Sequence, residues 1–181
     1  MRAFPFVAAV LALSVAGCIS SQSWEAVRVL NDIVARGAPS DLKAATPQPS
    51  RTEMQFAVDG REHLADLYHP NQRVGAKLVL VPGFTPHGKD DARLVDLALT
   101  FARARFMVLV PDFAGSREMR VRLDDADDIA DAIAYLAQTD PAAGDRVGVV
   151  AISRAILRRL TRKVIGGRLL PASRIAAKSL G

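Results

Sequence analysis

The sequence predicts an α/β fold, a mostly parallel sheet flanked by helices. Three observations carry that expectation. From about residue 51 onward, strand-like and helix-like segments alternate, the pattern of helices crossing over a parallel sheet. Segments 77–81, 106–110 and 146–152 are nearly continuous apolar runs, as expected of strands buried on both faces. Between them, 91–103 and 124–138 carry helical signals. The chain has 181 residues, half of them hydrophobic, which suits one domain with one core.

Taken in order, the first element is an export signal. Arg2 precedes an uncharged apolar run that is too short to span a bilayer, which needs about 20 apolar residues. Small residues follow, as at the end of a secretory signal peptide. Val15-Ala16-Gly17-Cys18 resembles the bacterial lipobox, whose cysteine is freed by cleavage and acylated. Residues 1–18 are therefore expected to be a lipoprotein signal peptide, with Cys18 the lipidation site. Acyl chains would hold the exported chain in the cell envelope, anchored to a membrane without a spanning helix. Cys18 is the single cysteine, so no internal disulfide can form.

Residues 19–50 read as a tether and an N-terminal helix. Trp24 to Val34 looks weakly helical, and Ala38-Pro39-Ser40 and Thr46-Pro47-Gln48-Pro49-Ser50 are breakers. Met54 to Val58 and His63 to Tyr68 look like strands joined at Asp59-Gly60, a hairpin turn pair. Lys77 to Val81 is the first buried strand, followed by the loop Pro82-Gly83-Phe84-Thr85-Pro86-His87-Gly88. Asp90 or Asp91 caps a helix running to about Arg103. Phe106 to Val110 is the second buried strand, ended by Pro111-Asp112. In 124–138, Ala126, Ile129, Ala130, Ile133 and Ala137 share one helical face, and Asp140-Pro141 ends the helix. Arg146 to Ile152 is the third buried strand.

That third strand runs into Ala151-Ile152-Ser153-Arg154-Ala155, and here the chain resembles the α/β-hydrolase superfamily. Its nucleophile elbow is a tight strand-to-helix turn with small residues two before and two after the serine. Ala151 and Ala155 meet that steric need. The resemblance covers roughly residues 51–155 and points to bacterial serine esterases of the dienelactone-hydrolase kind. It implies Ser153 as the catalytic nucleophile. It also implies an oxyanion hole made by the backbone N–H groups of Phe84 and Arg154, donors that stabilise charge developing on an acyl oxygen. The substrate implied is a carboxylic ester or similar small acyl compound, with no cofactor and no metal.

The resemblance then stops. The superfamily places an acid and a histidine after the serine in chain order. Here His63, His69 and His87 all precede Ser153, and no acid follows it. The sheet is expected to be incomplete on the C-terminal side, and turnover impaired. The alternative is a non-catalytic membrane-anchored lipoprotein, a pseudoenzyme or interaction module. The α/β-hydrolase-like core would span 51–155, leaving 156–181 as a basic tail of uncertain fold.

Charge supports this division. Residues 154–181 hold eight of the 24 basic residues and none of the 19 acids, so residues 1–153 carry a net charge of −3. The overall +5 thus belongs to one end and does not argue for nucleic-acid binding. The abrupt loss of acids suggests a truncated or out-of-frame end of a longer hydrolase gene. The tail's Ile156, Leu157, Leu160 and Val164 also fit the apolar stripe of a helix lying on anionic lipid. The acidic group Asp124, Asp125, Asp127, Asp128 and Asp131 lacks the spacing of a calcium loop. It reads as a solvated helix start, where acids suit the helix dipole.

Overall fold

The computed structural model describes residues 21–120, 122, 124–152 and 175–179, with 21, 22 and 175–179 as backbone only. Two helices lead: α1 (Ser21–Ala35) and α2 (Asp41–Ala45). Ser40 caps α2, its hydroxyl accepting from Lys43 N at 3.2 Å. The strands are β1 (Ser50–Val58), β2 (Arg61–His69), β3 (Ala76–Val81), β4 (Phe106–Pro111), β5 (Val147–Ala151) and β6 (Ile175–Ser179). Three further helices are α3 (Ala92–Arg103), the single turn α4 (Ala114–Arg117) and α5 (Asp125–Gln138).

The strands form one sheet in the order β5-β3-β4-β2-β1-β6. β3 pairs in parallel with both β4 and β5, while β2 is antiparallel to β4 and to β1, and β6 is antiparallel to β1. So β1, β3, β4 and β5 run one way, as expected of a mostly parallel sheet. The hairpin is as the sequence indicated. Val58 faces Arg61 in register, and Asp59 and Gly60 take φ of 51° and 82°. Two positive-φ residues make the turn whose twist matches paired strands.

Strand alternation sorts the core onto two faces. Leu78, Leu80, Val108 and Val110 pack with Leu94, Ala98 and Ala102 of α3. Val79, Val81, Met107 and Leu109 pack with Ile129, Ala132, Tyr135 and Leu136 of α5. Burial of a Leu or Ile in these layers contributes roughly 1.5–3 kcal/mol. The apolar stripe of each helix faces the layer it closes. Lys77 is the exception inside β3. It is 1% exposed, and its ammonium donates to Ala137 O at 2.9 Å, a cation on the last turn of α5.

Two sequence expectations are corrected here. The third strand is not buried on both faces: β5 is half-exposed along its length, because β3 is its one partner among the described residues. The acidic start of α5 is not simply solvated either. Asp125 and Asp131 are 6% and 1% exposed. Asp125 accepts from Arg122 N at 2.7 Å, and Asp131 sits 2.9 Å from His63 Nε2 and 2.7 Å from Arg61. His63 also stacks on Phe56, which in turn stacks on Tyr135. The acids thus tie α5 to the β1–β2 hairpin.

Candidate functional site

The two crossovers leaving β3 and β4 create a geometrical opening. From β3 the chain crosses through α3 to β4 on one side. From β4 it crosses back through α5 to β5 on the other side of β3. In open α/β sheets, ligands sit outside the carboxyl ends of strands where the winding direction changes. In this chain that place is the end of β3 and β5.

A cavity of about 580 Å³ occupies it. Its walls include Phe84 and Thr85 from the loop after β3, Ile152 at the end of β5, Leu94 and Leu97 of α3, and Ile33 of α1. Pockets for small molecules are of this size, mostly apolar with a few convergent polar groups. The polar groups here are Asp32, Arg36, Asp91, Arg93, Asp96 and Thr100.

The loop carrying Phe84 is fixed at several points. Ile152 N donates to Val81 O at 3.3 Å, so the ends of β3 and β5 lie side by side. A methyl group built on Gly83 would touch Ile152 Cγ2 at 3.4 Å, which shows how closely the two segments approach. Ser116 Oγ donates to Gly83 O at 2.5 Å. Thr85 Oγ1 donates to Asp91 Oδ2 at 3.1 Å, and Asp91 caps α3 through Arg93 N at 3.0 Å. Beyond the loop, the buried Lys89 ammonium bridges Asp66 at 3.1 Å and Glu53 at 3.0 Å. Burial works to lower the Lys89 pKa, and the hydrogen bonds to Glu53 and Asp66 outweigh it and raise it. The Asp91 carboxyl is held well below the usual carboxylate range, chiefly by its hydrogen bond from Arg93 and against its burial.

α1 forms another wall through one buried carboxylate. Asp32 is 1% exposed and accepts from Thr100 Oγ1 of α3 at 2.5 Å, from Lys43 Nζ of α2 at 2.6 Å and from Ser40 Oγ. Burial works to raise its pKa, and these hydrogen bonds outweigh it and lower it. Residues 21–45, expected from sequence to be a tether and N-terminal helix, are therefore part of the folded body. They pack on α3 and help enclose the cavity. Sequence reasoning missed Asp32 and Thr100, because a lone acid in a weakly amphipathic segment carries no sign of burial.

Of the sequence-derived site residues, Phe84 is described, half-buried at the cavity wall. Ser153, Arg154 and Cys18 lie outside the described residues, as does most of the tail. Ile152, the residue before Ser153, is on the wall. The histidines do not converge there. His63 on β2 is engaged with Asp131 of α5, and β2 is separated from β5 by β4 and β3. Three strand spacings make roughly 14 Å, beyond any hydrogen bond. His69 ends β2 at the opposite end of the sheet. His87 is exposed on the Phe84 loop, where it has no side-chain cap bond. Among the described residues, no group of three His, Cys, Asp or Glu side chains is placed to hold a metal ion. No helix among them is long and apolar enough to cross a membrane.

No family model matches the chain, and no curated protein sequence matches it. Three solved structures are similar to part of it. Brefeldin A esterase, titled a bacterial homologue of human hormone sensitive lipase, is 19% identical over 68% of this chain and 38% of its own, with a TM-score of 0.45. A hyperthermophilic esterase from the archaeon Pyrobaculum calidifontis is 16% identical over 84% of this chain and 49% of its own, at 0.45. EstE1, a thermostable carboxylesterase cloned from a metagenomic library, is 19% identical over 79% of this chain and 51% of its own, at 0.43. The chain thus spans about half the length of these esterases or less.

Proposed function

We propose that this chain carries a serine-hydrolase-type acyl site at the carboxyl ends of β3 and β5, held at a membrane surface by lipid on Cys18. The observation that carries the reading is the cavity itself. Phe84 and Ile152, which immediately precedes Ser153, stand on its walls where the sheet winding reverses. Ser153 Oγ attacks the carbonyl carbon of a carboxylic ester. The acyl oxygen takes up negative charge between the N–H groups of Phe84 and Arg154. The Oγ–carbon bond forms, and the alcohol leaves with a proton.

That proton is where the chain falls short. A serine hydroxyl is a weak nucleophile without an adjacent base. His63 is committed to Asp131, and His69 lies at the far end of the sheet. Among the described residues no histidine, His87 included, lines the cavity, and this observation favours a second reading, a lipid-anchored pseudoenzyme that binds acyl compounds without cleaving them.

A fluorophosphonate probe separates the two. Labelling of the wild-type chain that disappears in Ser153→Ala supports the nucleophile. Absence of labelling, together with retained binding of a non-hydrolysable ester analogue, supports the pseudoenzyme. Absence of both labelling and binding overturns the acyl site. Mass spectrometry of the exported chain tests the anchor: Cys18 carries acyl groups, or the localisation reading fails.

A further inference from the structure

α1 has two apolar sides, and the fold uses one of them. Val29 and Ile33 are half-buried and Asp32 is buried, so this side faces α3 and the cavity. On the other side, Trp24, Val27, Leu30 and Val34 are 59%, 44%, 61% and 80% exposed. At 3.6 residues per turn, these four fall on a single stripe along the helix. Four of the seven large hydrophobic side chains exposed among the described residues lie on this one element.

We propose that this stripe lies in the headgroup region of the membrane that anchors Cys18, so that α1 is an interfacial helix as well as a cavity wall. The proposal rests on the lipid-anchor reading of Cys18. Two residues separate Cys18 from Ser21 at the start of α1, a reach of roughly 10 Å. An acylated Cys18 therefore holds the helix start at the bilayer surface. Trp24 is at the anchor end, and tryptophan is favoured where bilayer meets water. Arg28 flanks the stripe one turn on, suited to phosphate headgroups. The helix has 15 residues, about 22 Å, too short to span and suited to lying flat. Its inner face gives Asp32 and Ile33 to the cavity, and Arg36, just past its end, joins them. The cavity then stands about one helix diameter, 10–12 Å, from the lipid, within reach of acyl substrates leaving the bilayer.

Trp24 is the sole tryptophan, so its fluorescence reports on this stripe alone. The acylated chain from Cys18 onward is reconstituted in phosphatidylcholine vesicles, with and without brominated acyl chains. The expected result is blue-shifted emission, quenched by the brominated lipid and shielded from acrylamide. The double variant Val27→Asp with Leu30→Asp still floats with the vesicles through its anchor, but its Trp24 emission returns to that of a water-exposed indole. Wild-type emission that stays water-like on floating vesicles overturns the inference while leaving the anchor intact. Blue-shifted emission that bromine does not quench also overturns it, because a protein surface then covers the stripe. If Cys18 carries no acyl group and the chain does not float, the anchor reading fails, and this inference falls with it.

Discussion

Thr100 on α3 donates a hydrogen bond to Asp32 on α1 at 2.5 Å, and both side chains are buried. This bond fixes the N-terminal helix to the layer that covers one face of the sheet. Thr100→Val keeps the shape and removes the donor. Leaving a buried acceptor short of a partner costs about 1–3 kcal/mol. The expected outcome is a lower urea midpoint and faster proteolysis in the α1–α2 connection around 36–40. Unchanged proteolysis would mean that Lys43 and Ser40 hold Asp32 unaided.

The same carboxylate makes a pH prediction with a definite sign. Its folded-state pKa lies below the ordinary 3.8, because the hydrogen bonds outweigh burial. A group with a depressed folded pKa contributes stability above its unfolded pKa and loses it as pH falls through the folded value. The stability difference between wild type and Asp32→Asn is expected to be constant at neutral pH and to shrink as pH drops below 3.8. Urea melts of both chains across that range check it. A difference that grows on acidification contradicts the assignment.

Gly115 makes a steric prediction. A methyl group there would come within 2.7 Å of Arg120 O and 2.8 Å of both Asp125 carboxylate oxygens. Two of these neighbours belong to the buried carboxylate that binds Arg122 N, and the third is backbone, so neither moves cheaply. Gly115→Ala is expected to destabilise by about 1–3 kcal/mol, the usual cost of overpacking. It should also loosen α4, whose Ser116 holds Gly83 O at the cavity loop. Thermal melting and amide exchange at Phe84 read the two effects.

Asp128 and Asp131, one helical turn apart on α5, are expected to respond in opposite directions. Burial raises the Asp128 pKa, with repulsion from Asp125 and Asp131 against the attraction of His63 and Arg61. A raised carboxyl pKa means that ionisation opposes folding as pH rises above 3.8. Asp128→Asn is therefore expected to leave stability unchanged or increase it at pH 7. Asp131→Ala removes the partner of both His63 and Arg61 and is expected to cost about 1–3 kcal/mol. Chemical denaturation of the two variants side by side decides it.

The strands were legible because their apolar runs are local signals. Ala76–Val81 and Phe106–Pro111 each extend the expected segment by one residue, at the start and at the end respectively. The Asp59-Gly60 turn was legible for the same reason, since its backbone needs are written in two adjacent residues. What depends on neighbours was not. An apolar run cannot reveal that β5 has no strand on its far side among the described residues. Nor can an acidic helix start reveal that Asp131 meets a histidine 68 residues away. The short strand Ile175–Ser179 lies in a tail with no strand signal of its own, and its pairing with β1 is a purely tertiary event. At the candidate site, the loop bearing Phe84 could be placed from sequence. The wall contributed by Asp32 and Ile33 of α1 could not, because it depends on how a distant helix docks.

The sheet's two edges differ in a way that bears on chemistry. Beside β1, residues 175–179 supply an antiparallel strand. Beside β5, among the described residues, the backbone groups of Val147–Ala151 face outward with no strand to meet them. An unpaired edge is a template for another strand. A strand added there in parallel would finish next to Ile152, at the mouth of the cavity. Side chains on such a strand would stand beside Phe84 and Ile152 of the cavity wall. The five-residue edge of β5, Val147–Ala151, thus leads directly to the cavity at Ile152.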